Sequence, residues 1–139
     1  MDPNEVLRRA MADLGLPYQW GGSGPPKDWG IDCSGEVLRA RQWTGKDLCA
    51  AKLYDLSVPV PPGEERPADL AFPIRADKRV THVAQVVGPD HDDPRRLVVL
   101  EAGGGDQTCT TPEIARAKGA CVRLVSWSRL ACEVRRWTI

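Results

Sequence analysis

Between Val58 and Gly63 three prolines, Pro59, Pro61 and Pro62, interrupt the chain, and the hydrophobic pattern changes period across that break. Before it, Val6, Leu7, Ala10, Met11 and Leu14 recur at spacings of three and four, the period of a helix with one buried face. Asp2 is placed to cap this helix, Pro3 suits its first position and Gly15 its stop, so a helix is expected over 2–14. A second is expected over 33–44, with Val37, Leu38, Ala40 and Trp43 as its buried stripe and Gly45 as its end. A short third helix is expected over 52–56.

After the break come short runs rich in Val, Leu, Ile and Trp, separated by Gly, Pro and Asp turns. They predict strands over 69–74, 81–88, 97–102, 120–127 and 132–137. Thr111-Pro112-Glu113 adds a cap, a helix-first proline and an acidic first turn, predicting a brief helix before Gly119. Helices followed by strands predict an α+β fold: N-terminal helices packed on a five- to six-stranded antiparallel sheet. A chain of 139 residues with 42% apolar side chains is expected to form a single domain over 1–139.

Lysine plus arginine and aspartate plus glutamate number 19 each. A net charge of zero argues against non-specific binding to phosphate backbones, so no nucleic-acid partner is expected. No stretch approaches the ~20 apolar residues of a membrane span. The first residues, Met-Asp-Pro-Asn-Glu, lack the basic and apolar regions of a signal peptide, and the expectation is synthesis in the cytoplasm. Five cysteines occur without a Cys-x-x-Cys pair, which removes the zinc-ribbon and thioredoxin readings. Cys49, Cys109, Cys121 and Cys132 are expected to be reduced, buried packing residues.

Cys33 differs because of its neighbours. Asp32-Cys33-Ser34-Gly35 lies where a glycine-rich loop over 17–30, carrying Trp20 and Trp29, becomes the second helix. A cysteine at a helix N-terminus meets the positive end of the peptide dipoles, which favours the nucleophilic thiolate. Gly35 permits close backbone approach, and Asp32 or Ser34 can satisfy free amides of the first turn.

A cysteine nucleophile in acyl transfer needs a histidine base, held by a third polar group. The chain has two histidines. His82 heads an expected strand, whereas His91 sits in the hydrophilic turn Pro89-Asp90-His91-Asp92-Asp93-Pro94. His82 is therefore the expected base, because rigid elements position catalytic groups better. The following strand forms a natural hairpin with that of His82 and holds one polar residue, Glu101, which either partners the imidazole or leaves the strand towards water. Asp106 and Gln107 are the reserve candidates.

Neither a cofactor nor a metal is expected. Gly103-Gly104-Gly105-Asp106 lacks a following Gly-Lys-Ser/Thr and reads as a turn beside the site. The Asp90–Asp93 run has no second ligand cluster. Trp20 and Trp29 are placed to flank a peptide groove, while Trp43, Trp127 and Trp137 are expected in the core.

Taken together, Pro17-Tyr18-Gln19-Trp20-Gly21-Gly22, Asp32-Cys33-Ser34-Gly35, Pro67-Ala68-Asp69-Leu70-Ala71-Phe72 and His82-Val83-Ala84 with Gly88 resemble the NlpC-type family of papain-like cell-wall cysteine peptidases. The motifs stand in family order over roughly residues 4 to 105. The resemblance implies a papain-like core, with the cysteine helix packed on the sheet that carries the base. It implies hydrolysis of γ-D-glutamyl-diaminopimelate-type bonds in peptidoglycan stem peptides through a thioester acyl-enzyme. Carried onto this chain, Cys33 is the nucleophile, His82 the base and acid, and the Tyr18 hydroxyl lines the site near the oxyanion. The backbone N–H of Cys33 donates to that oxyanion. Trp20, Trp29, Asp32 and Ser34 complete the candidate binding residues.

The chain departs from the family pattern in three places. The third residue is commonly His, Asn or Gln, and here is Glu101. Glu36 follows Ser-Gly, where an apolar residue is usual. The hairpin after His82 is lengthened over 89–96, as a solvated tip. The resemblance fits a phage endolysin, a tail-associated peptidase or an exported effector, acting at the cell wall after delivery by holin, tail or secretion machinery. The zero net charge, which gives no wall-seeking cationic surface, favours such a delivery partner. The alternatives are a papain-like amidase or acyltransferase on a non-wall substrate, and an inactive phage structural or assembly module.

Overall fold

Asp2 caps the first helix through its side chain, whose Oδ1 accepts the Asn4 N–H at 2.9 Å. A computed structural model describes residues 1–138 of the chain. In order it contains α1 (Pro3–Ala12), α2 (Cys33–Ala40), α3 (Ala50–Leu56), β1 (Val58–Pro59), β2 (Leu70–Pro73), β3 (Ala84–Pro89), β4 (Arg96–Gly103), α4 (Pro112–Lys118), β5 (Cys121–Ser128), a 3-10 turn (Arg129–Ala131) and β6 (Cys132–Arg136). The strands form one six-stranded sheet in the order β1-β6-β2-β3-β4-β5, antiparallel throughout. This is the expected α+β architecture, with β1 added at one edge. β1 is two residues long and ends in proline, so it has no strand signature to read.

Side-chain alternation along the strands divides the core. Leu70 and Phe72 of β2 point to the helices and pack with Val37, Leu38, Leu53 and Trp137. The intervening Ala71 joins Ala84, Val86, Leu97, Val99 and Val134 on the opposite face, which Val60 helps to cover. A third cluster seats Val6 and Ala10 of α1 against Leu100, Ala102 and Val122.

Two boundaries differ from expectation in ways that matter for the site. The second helix ends at Ala40 instead of running to residue 44. Gln42 is left-handed, at φ 54, and the Trp43 N–H returns to the Leu38 carbonyl at 3.0 Å, so the helix closes early in a Schellman-type turn. His82 is not in a strand, since β3 begins at Ala84. The register Leu70↔Gln85 and Ala71↔Ala84, if continued, sets His82 opposite Pro73, which has no N–H for the ladder.

The cysteines divide differently as well. All five carry free thiols, and Cys109 and Cys132 are buried, but Cys49 is exposed and Cys121 half-buried. Cys49 sits in the N-cap position of α3, outside the apolar face. No helix among the described residues is long and apolar enough to cross a membrane.

Candidate active site

Cys33 is the first residue of α2, and Asp32 is its N-cap. The Asp32 Oδ1 accepts the Gly35 N–H at 2.7 Å, while the Ser34 hydroxyl donates to the same oxygen at 3.4 Å. Asp32 therefore caps the helix and Ser34 does not. Burial raises the Asp32 pKa above the ordinary carboxylate value, partly offset by the hydrogen bond from Gly35. Among the described residues, the N–H groups of Cys33 and Ser34 have no acceptor. Both remain available at the positive end of the helix.

The loop before α2 is held by backbone contact. A Cβ on Gly35 would stand 2.5 Å from the Gly22 carbonyl oxygen, and one on Gly22 equally close to that of Gly30. Glycine at these positions lets the loop close directly onto the cysteine turn. Arg39 adds a side-chain tie from α2, with Nε donating to Asp13 at 2.8 Å and Nη1 to the Pro25 carbonyl.

His82 joins the cysteine to the sheet. Its Nε2 lies 2.6 Å from Glu101 Oε1, and the Cys33 thiol is near enough to the ring to raise its pKa. Since Nε2 faces Glu101, Nδ1 is the nitrogen left for the sulfur. Burial alone would lower the imidazole pKa, but the neighbouring Cys33 and Glu101 reverse this and lift it to about 9.

Glu101 is 5% exposed and part of β4, so the reading in which it turns to water fails. Burial works against its charge, yet bonds from His82 and Arg123 hold its pKa below the ordinary value. Arg123 Nε donates to Glu101 Oε2 at 3.0 Å. Asp106 is occupied in its own turn, accepting from the Thr108 N–H and hydroxyl, and Gln107 is exposed.

Tyr18 is 5% exposed, with its ring packed over Gly105. Its acidity is suppressed first by burial and then by the nearby Cys33 and Asp32, which places the ring beside the cysteine turn. Trp20 is exposed and Trp29 half-buried, and among the described residues neither indole hydrogen-bonds to the cysteine–histidine pair. A cleft of about 510 Å³, lined by Gly21, Ser23, Lys27, Gly35, Trp43 and Asp47 among others, opens beside the first turn of α2.

Two neighbours of this group are not apparent from sequence. Arg123 reaches Glu101 because β4 and β5 pair Glu101↔Arg123, a register that no local pattern specifies. Trp127, expected in the core, lies with its ring centroid 5.9 Å from that of His82 and is only half-buried. His91, by contrast, is exposed in the turn between β3 and β4.

Glu36 does not face the cleft. It is 1% exposed and accepts from Gln85 Nε2 at 2.9 and 2.7 Å. Gln85 Oε1 in turn accepts from Arg41 Nη1 at 2.7 Å, and Arg41 Nη2 donates to the Ala68 carbonyl at 2.7 Å. Glu36 lies three residues beyond Cys33 and Gln85 three beyond His82. The network thus ties the cysteine helix to the strand that follows the histidine.

No family model matches the chain. Peptidoglycan endopeptidase RipA of Mycobacterium tuberculosis is 35% identical over 79 residues, a match covering 48% of this chain and 17% of RipA. The chain therefore spans only a small part of that curated relative. In structure, RipA covers 97% of this chain, which covers 61% of the RipA chain, at TM-score 0.65 and 26% identity. The NlpC/p60 domain of the peptidoglycan hydrolase SagA covers 99% of this chain, which covers 100% of it, at TM-score 0.67 and 21% identity. RipD of Mycobacterium tuberculosis, described as a non-catalytic NlpC/p60 domain protein adapted to peptidoglycan binding, covers 99% of this chain at TM-score 0.65 and 19% identity, with 96% of RipD covered in return. The chain has the papain-like α+β fold of NlpC/p60 domains, and this likeness of fold extends over nearly its whole length.

Proposed function

On this NlpC/p60 fold, we propose a cysteine peptidase that hydrolyses amide bonds of peptidoglycan stem peptides, of the γ-D-glutamyl-diaminopimelate type. The observation that carries the reading is the placement of His82 between the Cys33 thiol at the start of α2 and the buried Glu101 carboxylate. His82 Nδ1 takes the thiol proton, and the sulfur attacks the substrate carbonyl. The oxyanion is met by the N–H groups of Cys33 and Ser34 and by the Tyr18 hydroxyl. The imidazolium then protonates the leaving amine, and the C–N bond breaks to leave a thioester. Water, deprotonated by the neutral imidazole, attacks the thioester and releases the acid and the thiol. Glu101 keeps the ring oriented through both halves of the cycle.

The substrate class is supported by the relatives named peptidoglycan endopeptidase and peptidoglycan hydrolase. The site of action proposed is the cell wall, reached with a delivery partner such as a holin, a phage tail or a secretion machine. The support for a partner is the zero net charge, which gives no global attraction to an anionic wall. Purified protein incubated with muropeptides and followed by mass spectrometry tests the activity: stem peptides cleaved by the native chain and left intact by Cys33→Ala support it. Intact stem peptides at high concentration of the native chain overturn it, and labelling by a thiol-reactive amide probe in the same sample points to a non-wall amide. Binding to peptidoglycan with neither turnover nor labelling points to a role like that described for RipD.

A further inference from the structure

The Glu101 carboxylate is divided between two cations. Oε1 meets His82 at 2.6 Å and Oε2 meets Arg123 at 3.0 Å, with the Glu101 side chain 6% exposed and that of Arg123 39% exposed. The cross-strand pair Glu101↔Arg123 fixes the arginine opposite the acid. A Cβ on Gly104 would come within 3.0 Å of Arg123 Nη1, so the turn after β4 leaves the guanidinium its place. We propose that Arg123 is a positioning residue acting on His82 through Glu101: it shares the carboxylate's charge and thereby keeps the imidazole able to release its proton. This rests on the reading of Cys33 and His82 as the working pair.

A buried carboxylate bonded only to imidazole favours the imidazolium strongly, because low dielectric magnifies their attraction. That helps form the thiolate and hinders the next step, in which the same proton must pass to the leaving amine. A second cation on the carboxylate weakens its pull on the ring, and its own positive charge opposes the imidazolium across the carboxylate. Both effects have the same sign. The charged and titratable groups that face His82 are Cys33 from α2 and Glu101 from β4, and β5 contributes the uncharged Trp127 ring. Those bonded to Glu101 are His82 and Arg123.

The presence of two histidines makes the test direct. Imidazole titrations are followed by NMR in Cys33→Ala, where the thiol is absent, with the exposed His91 giving a second imidazole signal in the same spectra. Adding Arg123→Gln is expected to raise the His82 midpoint by about one unit. Arg123→Lys, a more strongly hydrated charge without the planar fork, is expected to fall between. Should the glutamine variant fail to fold, the step from Arg to Lys remains measurable and upward. An unchanged or lowered midpoint in a folded variant overturns the proposal. No substrate is present, so failed muropeptide turnover sinks the proposed function without moving this result.

Discussion

The Glu101 carboxylate occupies the space that a side chain on Gly103 would need: a Cβ built there would collide with Glu101 Oε2. Both residues lie on β4, two apart, and therefore point to the same side of the sheet. Gly103→Ala is expected to push the carboxylate off His82 and lower kcat/KM on muropeptides by roughly 10²-fold, the cost of a displacement of about 1 Å in a catalytic group. Unchanged circular dichroism with this loss supports the account. Native kinetics in the alanine variant would show that the carboxylate's position does not matter.

The Glu36–Gln85–Arg41 network makes a separate prediction about stability. Gln85 is fully buried and is the link between an acid and a base. Gln85→Met leaves both partners short of a hydrogen bond in the core, at an expected cost of about 3 kcal/mol. Denaturant unfolding measures it, and a loss under about 1 kcal/mol would mean that water replaces the amide.

Glu36 also gives stability a pH dependence. Burial raises its pKa from 4.5 to about 7, against hydrogen bonding by Gln85 and the charge of Arg41. The folded chain thus favours the protonated acid. Its contribution is fully present below 4.5 and is lost as pH rises through about 7, because the unfolded chain releases the proton more readily. His82, raised from 6.5 to about 9 by Cys33 and Glu101 despite burial, contributes with the same sign and is lost as pH rises through about 9. Unfolding midpoints compared between the native chain and Glu36→Gln should show a decline between these lower two values that the glutamine variant lacks. Parallel curves would refute it.

In the proposed mechanism the Tyr18 hydroxyl donates to the oxyanion. Tyr18→Phe keeps the ring over Gly105 and is expected to reduce kcat on muropeptides by roughly 10²-fold with little change in KM, as for loss of one oxyanion donor. A change confined to KM would assign the hydroxyl to substrate binding instead.

What could be read from the sequence follows the range of the interactions involved. The caps of α1, α2 and α4 and the place of Cys33 depend on residues within a few positions, and these are legible. Glu101 is legible as well, as the one acid in an apolar strand beside the strand after His82. Arg123 and Trp127 are not, because their roles depend on the register of β5 against β4, which local pattern leaves free. The truncated start of β3 comes from Pro73 on another strand. Glu36 looks like a departure at the cleft only until Gln85, 49 residues away, is brought beneath it.

The interlocked loop before α2 has a consequence for binding. With Gly35 against Gly22, Gly22 against Gly30, and Arg39 fastened to both Asp13 and the Pro25 carbonyl, the cradle around Cys33 is already in its ordered form before any peptide arrives. Its conformational entropy is surrendered once, during folding, and is not charged again against affinity. On the proposed reading, a substrate reaching Cys33 meets a preorganised template, so its recognition is governed by shape and by desolvation of its own polar groups.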